Sequence, residues 1–218
     1  MPYTIATMII VEVIVVFINK LIFLIFLFPM ATFAVSEFSF DFGYDRQIYG
    51  TERQNSLVSR NYSAGISTYL FDLTGIDLNY SNTKDINSQN ERYTVSSPYD
   101  IIAQQNRVTT DVFGVGIKQM LAGRGAFIIP IISIGYARQF VTSSGDITVE
   151  NTTTKNLTIV NLTETKQKYN SVFGAFILQL KFTERFSLKG TVKTLFPAFE
   201  YNKARDNLKY LIGFSWVF

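Results

Sequence analysis

From residue 37 onward the chain is written in a two-residue code. Phe38, Phe40, Phe42 and Tyr44 take one side of a pleat, and Ser39, Asp41, Gly43 and Asp45 take the other, because successive strand side chains point to opposite faces. The same code returns with Tyr62, Ala64, Ile66, Thr68 and Leu70 against Asn61, Ser63, Gly65 and Ser67. Ile76, Leu78 and Tyr80 oppose Gly75, Asp77 and Asn79, and Phe113, Val115 and Ile117 oppose Gly114, Gly116 and Lys118. A fifth strand over residues 127–140 sets Ile132, Ile134 and Tyr136 against Ser133, Gly135 and Ala137. Pro130 within it cannot donate to a ladder and predicts a bulge or the end of a membrane crossing. The sixth, over 169–182, turns Val172, Phe176, Leu178, Leu180 and Phe182 outward. The seventh turns Phe186, Leu188, Val192 and Phe196 against Ser187, Lys189, Thr191 and Lys193. The eighth alternates Leu208, Tyr210, Ile212, Phe214, Trp216 and Phe218 with Lys209, Leu211, Gly213, Ser215 and Val217.

Between these strands the connections alternate in length. Those at 72–74, 121–125 and 183–185 are short. Those between strands 1 and 2, 3 and 4, 5 and 6, and 7 and 8 are longer and polar, with 82–107 and 141–168 the extremes. Eight alternating segments joined by short turns at one end and long loops at the other predict an all-β fold: an eight-stranded, antiparallel, up-and-down transmembrane β-barrel. A β-sandwich has no reason to keep that asymmetry. Ile147–Val149 and Leu157–Ile159 alternate inside the longest loop, so the flanking strands are expected to extend beyond the membrane as a hairpin.

Composition agrees with this fold. Charged residues are only 17% of the chain and aromatics 15%, yet mean hydropathy is only +0.16. A helical membrane bundle would be far more apolar, whereas a barrel hides polar residues inside. Ahead of the strands, Lys20 precedes an apolar core at 21–28 and small residues at Ala34 and Ser36, the layout of an export signal. Residues 1–36 are therefore assigned as a signal peptide, with those before about 18 surplus to it, and residues 37–218 as the barrel domain.

The last strand carries a further signature. A terminal segment with apolar residues at every second position, closing on Phe218, resembles the final strand of small bacterial outer-membrane β-barrel proteins of the OmpA/OmpX/OmpW kind. That resemblance covers about residues 37–218. It implies an outer-membrane location and recognition of Tyr210, Ile212, Phe214, Trp216 and Phe218 by the barrel-assembly machinery during insertion. It also implies outer-membrane lipid as surroundings and a monomeric barrel.

Function classes narrow further by what is missing. The chain has no histidine and no cysteine. The acylases, phospholipases and proteases built on small barrels rely as families on histidine, the side chain best suited to proton transfer near neutral pH; enzymatic activity is not expected. No metal-ligand spacing or phosphate loop is present, so no cofactor or metal is expected. The +3 net charge comes without a basic run, so nucleic acid is not expected as a partner.

The inward rows contain Asp41, Asp45, Asp77, Lys118, Lys181, Lys189, Lys193 and Lys209. Eight strands enclose a space that side chains can fill, so these charges are expected to pair and plug the lumen. Asp41, next to the last strand once the barrel closes, is the candidate partner for Lys189, Lys193 and Lys209. The expected role is structural, or surface interaction with a ligand through the long loops. The alternative is a narrow channel or transporter for small solutes.

Overall fold

A computed structural model describes residues 35–197 and 208–218. The expected signal peptide lies outside the described residues, except for Val35 and Ser36. Nine strands form: β1 (Val35–Tyr49), β2 (Asn55–Tyr69), β3 (Thr74–Gln89), β4 (Tyr93–Ser96), β5 (Tyr99–Met120), β6 (Ile128–Asn151), β7 (Leu157–Lys181), β8 (Phe186–Pro197) and β9 (Leu208–Val217). Eight of them make a closed antiparallel ring in the order β3-β2-β1-β9-β8-β7-β6-β5, sealed by pairing of β3 with β5. β4 was not expected. It is a short strand on the β3–β5 connection that pairs only with the outer end of β5.

Closure joins the ends of the described chain. Ser36 donates its amide to the Phe218 carbonyl at 3.2 Å, and the Phe218 amide returns to the Ser36 carbonyl at 2.9 Å. A closed ring leaves no unpaired backbone edge, which lipid cannot satisfy.

Two sequence expectations need correction. Residues 82–107 and 141–168 are mostly strand rather than loop. β5 and β6 pair continuously from Ala103–Thr148 to Met120–Ile131, and β6 and β7 from Glu150–Leu157 to Ile128–Leu180, with one irregularity at Ser143–Gly145. Thr, Val and Gln there suit a pleated surface but supply no greasy row. Second, Pro130 causes no bulge: it stays in register opposite Leu178. Its carbonyl accepts from the Leu121 amide at 2.8 Å on the side where β5 has just ended, so the missing N–H is not needed by a ladder.

The interior is layered. Near the short turns lies an apolar layer of Tyr69, Met120, Ile129, Ile131 and Ile177. Charged and hydroxyl groups follow, and above them Val112, Ala137 and Phe173 form a second apolar cluster. Phe173 lies against Gly116 and Gly135, where an added Cβ would approach its ring to 2.8 Å at Gly116 and 2.7 Å at Gly135. Those glycines give the ring its floor.

Candidate functional site

Glu37 on β1 is fully buried, and Lys118 on β5 reaches it at 3.0 Å. The Tyr69 hydroxyl donates to the same carboxylate at 2.7 Å, while Lys118 also donates to Ser67 at 3.2 Å. Residue 37 shares the inward parity of Ser39 and Asp41, so its placement was readable. Its position beside the expected cleavage point kept it out of the inward charge set.

A second pair, Lys189 to Asp41 at 3.2 Å, spans an intervening strand. In register, Lys189 faces Gly213 and Gly213 faces Asp41. The glycine is the saddle over which the lysine passes, since a Cβ there would fall on the Phe40 carbonyl and the Asp41 carboxylate.

The remaining charges are held by neutral partners. Asp77 accepts from Ser67 at 2.7 Å and from Asn79 at 3.1 Å. Lys193 donates to Asn79 at 3.2 Å and stands 5.1 Å from the centre of the Phe173 ring. Lys209, directly opposite Lys193, donates to Thr83 at 3.0 Å. Lys181 caps the Arg124 carbonyl at 2.8 Å at the turn end. Asp45 has inward parity but is exposed, with Gln47 as partner at 3.0 Å. It sits beyond the last pairing of β1 with β9, at Phe42–Ile212, so no facing wall encloses it.

Two cavities remain inside. One of about 40 Å³ is bordered by Asp41, Lys118, Ser133, Thr191 and Lys193; the other, about 180 Å³, lies higher between Asn61, Asp85, Gln139 and Lys209. Asp41 Oδ1, Ser133 Oγ and Thr191 Oγ1 lack protein partners, and the smaller cavity is roomy enough for water to bridge them.

Outside, the described strands carry an apolar band. Ile66, Leu78, Val115, Ile117, Ile132, Ile134 and Ile212 are exposed at mid-height. Tyr44, Tyr62, Tyr80, Phe113, Tyr136 and Tyr210 ring its upper edge, and Phe71, Phe127, Phe182, Trp216 and Phe218 ring the lower. Together with Ile212 and Phe214, three of these, Tyr210, Trp216 and Phe218, make the terminal strand's outward row. From Ile128 to Tyr136, β6 advances roughly 27 Å at about 3.4 Å per residue. Once tilted, that matches an outward apolar band about 25 Å tall.

A closed eight-stranded antiparallel ring with an apolar outer band between two aromatic girdles defines a small transmembrane β-barrel of the bacterial outer-membrane class. Among solved structures the chain is similar to the N-terminal β-barrel domain of Pseudomonas aeruginosa OprF, with a TM-score of 0.49 and 16% identity over 85% of this chain and 97% of that one. It is similar also to Ail, the attachment invasion locus protein of Yersinia pestis (TM-score 0.44, 9% identity, 85% and 98% covered). Neisserial surface protein A, NspA, is a third (TM-score 0.45, 11% identity, 85% and 99% covered). No protein-family model matches the chain, and no curated protein matches it in sequence.

Proposed function

We propose that this protein is a non-conducting outer-membrane barrel that displays a tall β-sheet above the membrane as an interaction surface. The observation that carries the reading is the length of β6 and β7, 24 and 25 residues. A transmembrane strand needs about 9–11 residues, so more than half of each strand stands outside the apolar band. There β5 and β4 widen the sheet on one side. Arg92 ties it together through Asp100 and Glu150, and Arg107 pairs with Asp146 at 3.1 Å. Beyond the reach of β8, the β7 segment 157–170 is exposed along its whole length and carries Leu157, Ile159, Val160 and Leu162. An exposed strand with apolar side chains offers both backbone hydrogen bonds and side-chain contacts to an extended partner.

The plugged lumen supports an anchoring rather than a transporting role. The Lys118–Glu37 and Lys189–Asp41 pairs cross the middle of the barrel, and the cavity between them holds only about 40 Å³.

The test compares cells carrying the full chain with cells carrying a chain lacking residues 145–162, which keeps the Ser143–Thr165 pairing. Both are first checked for heat-dependent gel mobility, then for adhesion to immobilised matrix proteins and for cell–cell aggregation. Adhesion or aggregation conferred by the full chain and lost on shortening is the expected result. Identical behaviour of both chains and of cells lacking the protein would refute the surface role.

A further inference from the structure

The outer wall holds a groove of about 510 Å³. It follows two register rows across five strands: Phe38, Ile66, Leu78, Val115 and Tyr136, and above them Phe40, Ala64, Tyr80, Phe113 and Arg138. Ala64 is the smallest side chain in either row, and backbone at Gly65 and Gly114 is reached beneath it. A dent in an otherwise convex apolar wall results. At its upper end the apolar surface stops at a cation, Arg138.

That cation has company. Arg138 and Lys168 flank the Phe140 ring from neighbouring strands, 6.0 and 5.6 Å from its centre. Further round, Arg60 lies directly opposite Lys84. All four are exposed, and none forms an ion pair among the described residues. Like charges directly opposite on a sheet are destabilising. Asp111, the acid in the same outward belt, is already engaged by the Tyr80 hydroxyl at 2.6 Å and Asn82 at 2.9 Å. The belt therefore carries an excess of positive charge at the level where the apolar wall meets water. Its natural complement is anionic and comes from the membrane.

We infer that this strip of wall is a seat for a phosphate-bearing, acylated lipid. The chain lies in the groove over Ala64, and the phosphate is held by Arg138 and Lys168, with Arg60 and Lys84 extending the anionic contact. Neither half alone makes this case. A cation row without a groove would be general attraction to an anionic surface, and a groove without cations would take any chain. This inference is independent of the hairpin's role, and a chain lacking residues 145–162 keeps every residue of the seat.

The full chain, folded in a neutral detergent and checked by its heat-dependent gel shift, is mixed with phosphatidic acid or phosphatidylcholine of identical chains. Retained lipid is counted by native mass spectrometry. Preferential retention of phosphatidic acid is expected. An Arg138→Gln, Lys168→Gln pair should lower that preference on the order of tenfold, the loss of one charge-assisted phosphate contact. An Arg138→Lys, Lys168→Arg exchange should restore it. Ala64→Phe, which fills the groove and leaves the charges, should weaken retention of both lipids. Equal retention of the two lipids by the native chain, or a preference unmoved by the charge variants, would overturn the inference. So would displacement of phosphatidic acid by equimolar inorganic phosphate, which would assign a free-anion site. Retention unmoved by Ala64→Phe refutes the chain seat. A dimer of the native protein that Ala64→Phe dissolves would assign the groove to a second copy instead.

Discussion

Replacing Lys118 by Met, or Glu37 by Gln, breaks the best-buried ion pair in the barrel while keeping side-chain volume. In the native chain the two side chains are 2% and 0% exposed and 3.0 Å apart. Loss of Lys118 leaves the Glu37 carboxylate with Tyr69 as its sole donor, since its Oε1 is already unpartnered. Loss of the Glu37 charge leaves the ammonium with Ser67 and an amide oxygen. An uncompensated buried charge of this kind costs about 3–5 kcal/mol. The lower end applies here, because Lys118 borders the 40 Å³ cavity and water can reach it. Removing both charges together leaves nothing uncompensated, so the double variant should be milder than the sum by a coupling of about 2 kcal/mol.

The assay is reversible urea unfolding of the barrel in vesicles, followed by tryptophan fluorescence from Trp216. With a urea slope of about 1–3 kcal/mol per molar, a loss of about 3 kcal/mol moves the midpoint down by about 1 M or more. Because the pair is buried, high salt should change the difference little. Single variants that each lose less than about 1 kcal/mol and add without coupling would refute the claim that this pair holds the lumen together.

Three further outcomes follow from the same geometry. Gly213→Ala should stop or slow closure of β1 on β9, because its Cβ meets backbone at Phe40 rather than a movable side chain; a native-like heat-dependent gel shift in that variant would count against the saddle. The Lys189→Ala, Lys193→Ala pair should destabilise the barrel without opening it, and planar-bilayer recording should show no steady current in either protein. Reproducible conductance in the native chain, with selectivity altered by the pair, would establish the channel reading. Finally, cleavage after Ser36 would remove the two backbone bonds to Phe218, whereas cleavage after Ala34 keeps them. N-terminal sequencing of protein from outer membranes should read Val35 first, and a sequence beginning at Glu37 would show those bonds to be dispensable.

What could be read from the sequence tracks where two different environments press on the two faces of a strand. Between the girdles, lipid outside and a crowded lumen inside force a period of two. Rows such as Ile66–Leu78–Val115–Tyr136 therefore stand out without any knowledge of pairing. Above the girdle that contrast disappears. Thr109 faces Thr142 and Gln105 faces Asp146, so neither row is greasy and the strand looks like a loop. The remaining sign was β-propensity, with Thr and Val dense through 108–112 and 141–149, and such propensity is weak without a face to bury.

The lumen pairings needed a quantity that alternation does not contain. Parity says that a residue points inward; stagger between strands says at what height, and only the second decides which charges meet. Asp41 and Asp45 share parity and strand, yet one is buried against Lys189 and the other lies in solvent beyond the last β1–β9 pair. Gly213 shows the same limit from the other side. In the sequence it is a small inward residue among several, and in the barrel it is the one position where β9 lets Lys189 reach β1. A barrel this narrow selects glycines by what must pass over them, and that depends on partners drawn from strands far apart in the chain. Lys118 and Glu37 are 81 residues apart and Lys189 and Asp41 are 148 apart. Contacts of that separation come only with closure. The ion pairs are therefore expected to stabilise the finished barrel more than they speed its formation, raising the barrier to unfolding while leaving the folding rate nearly unchanged.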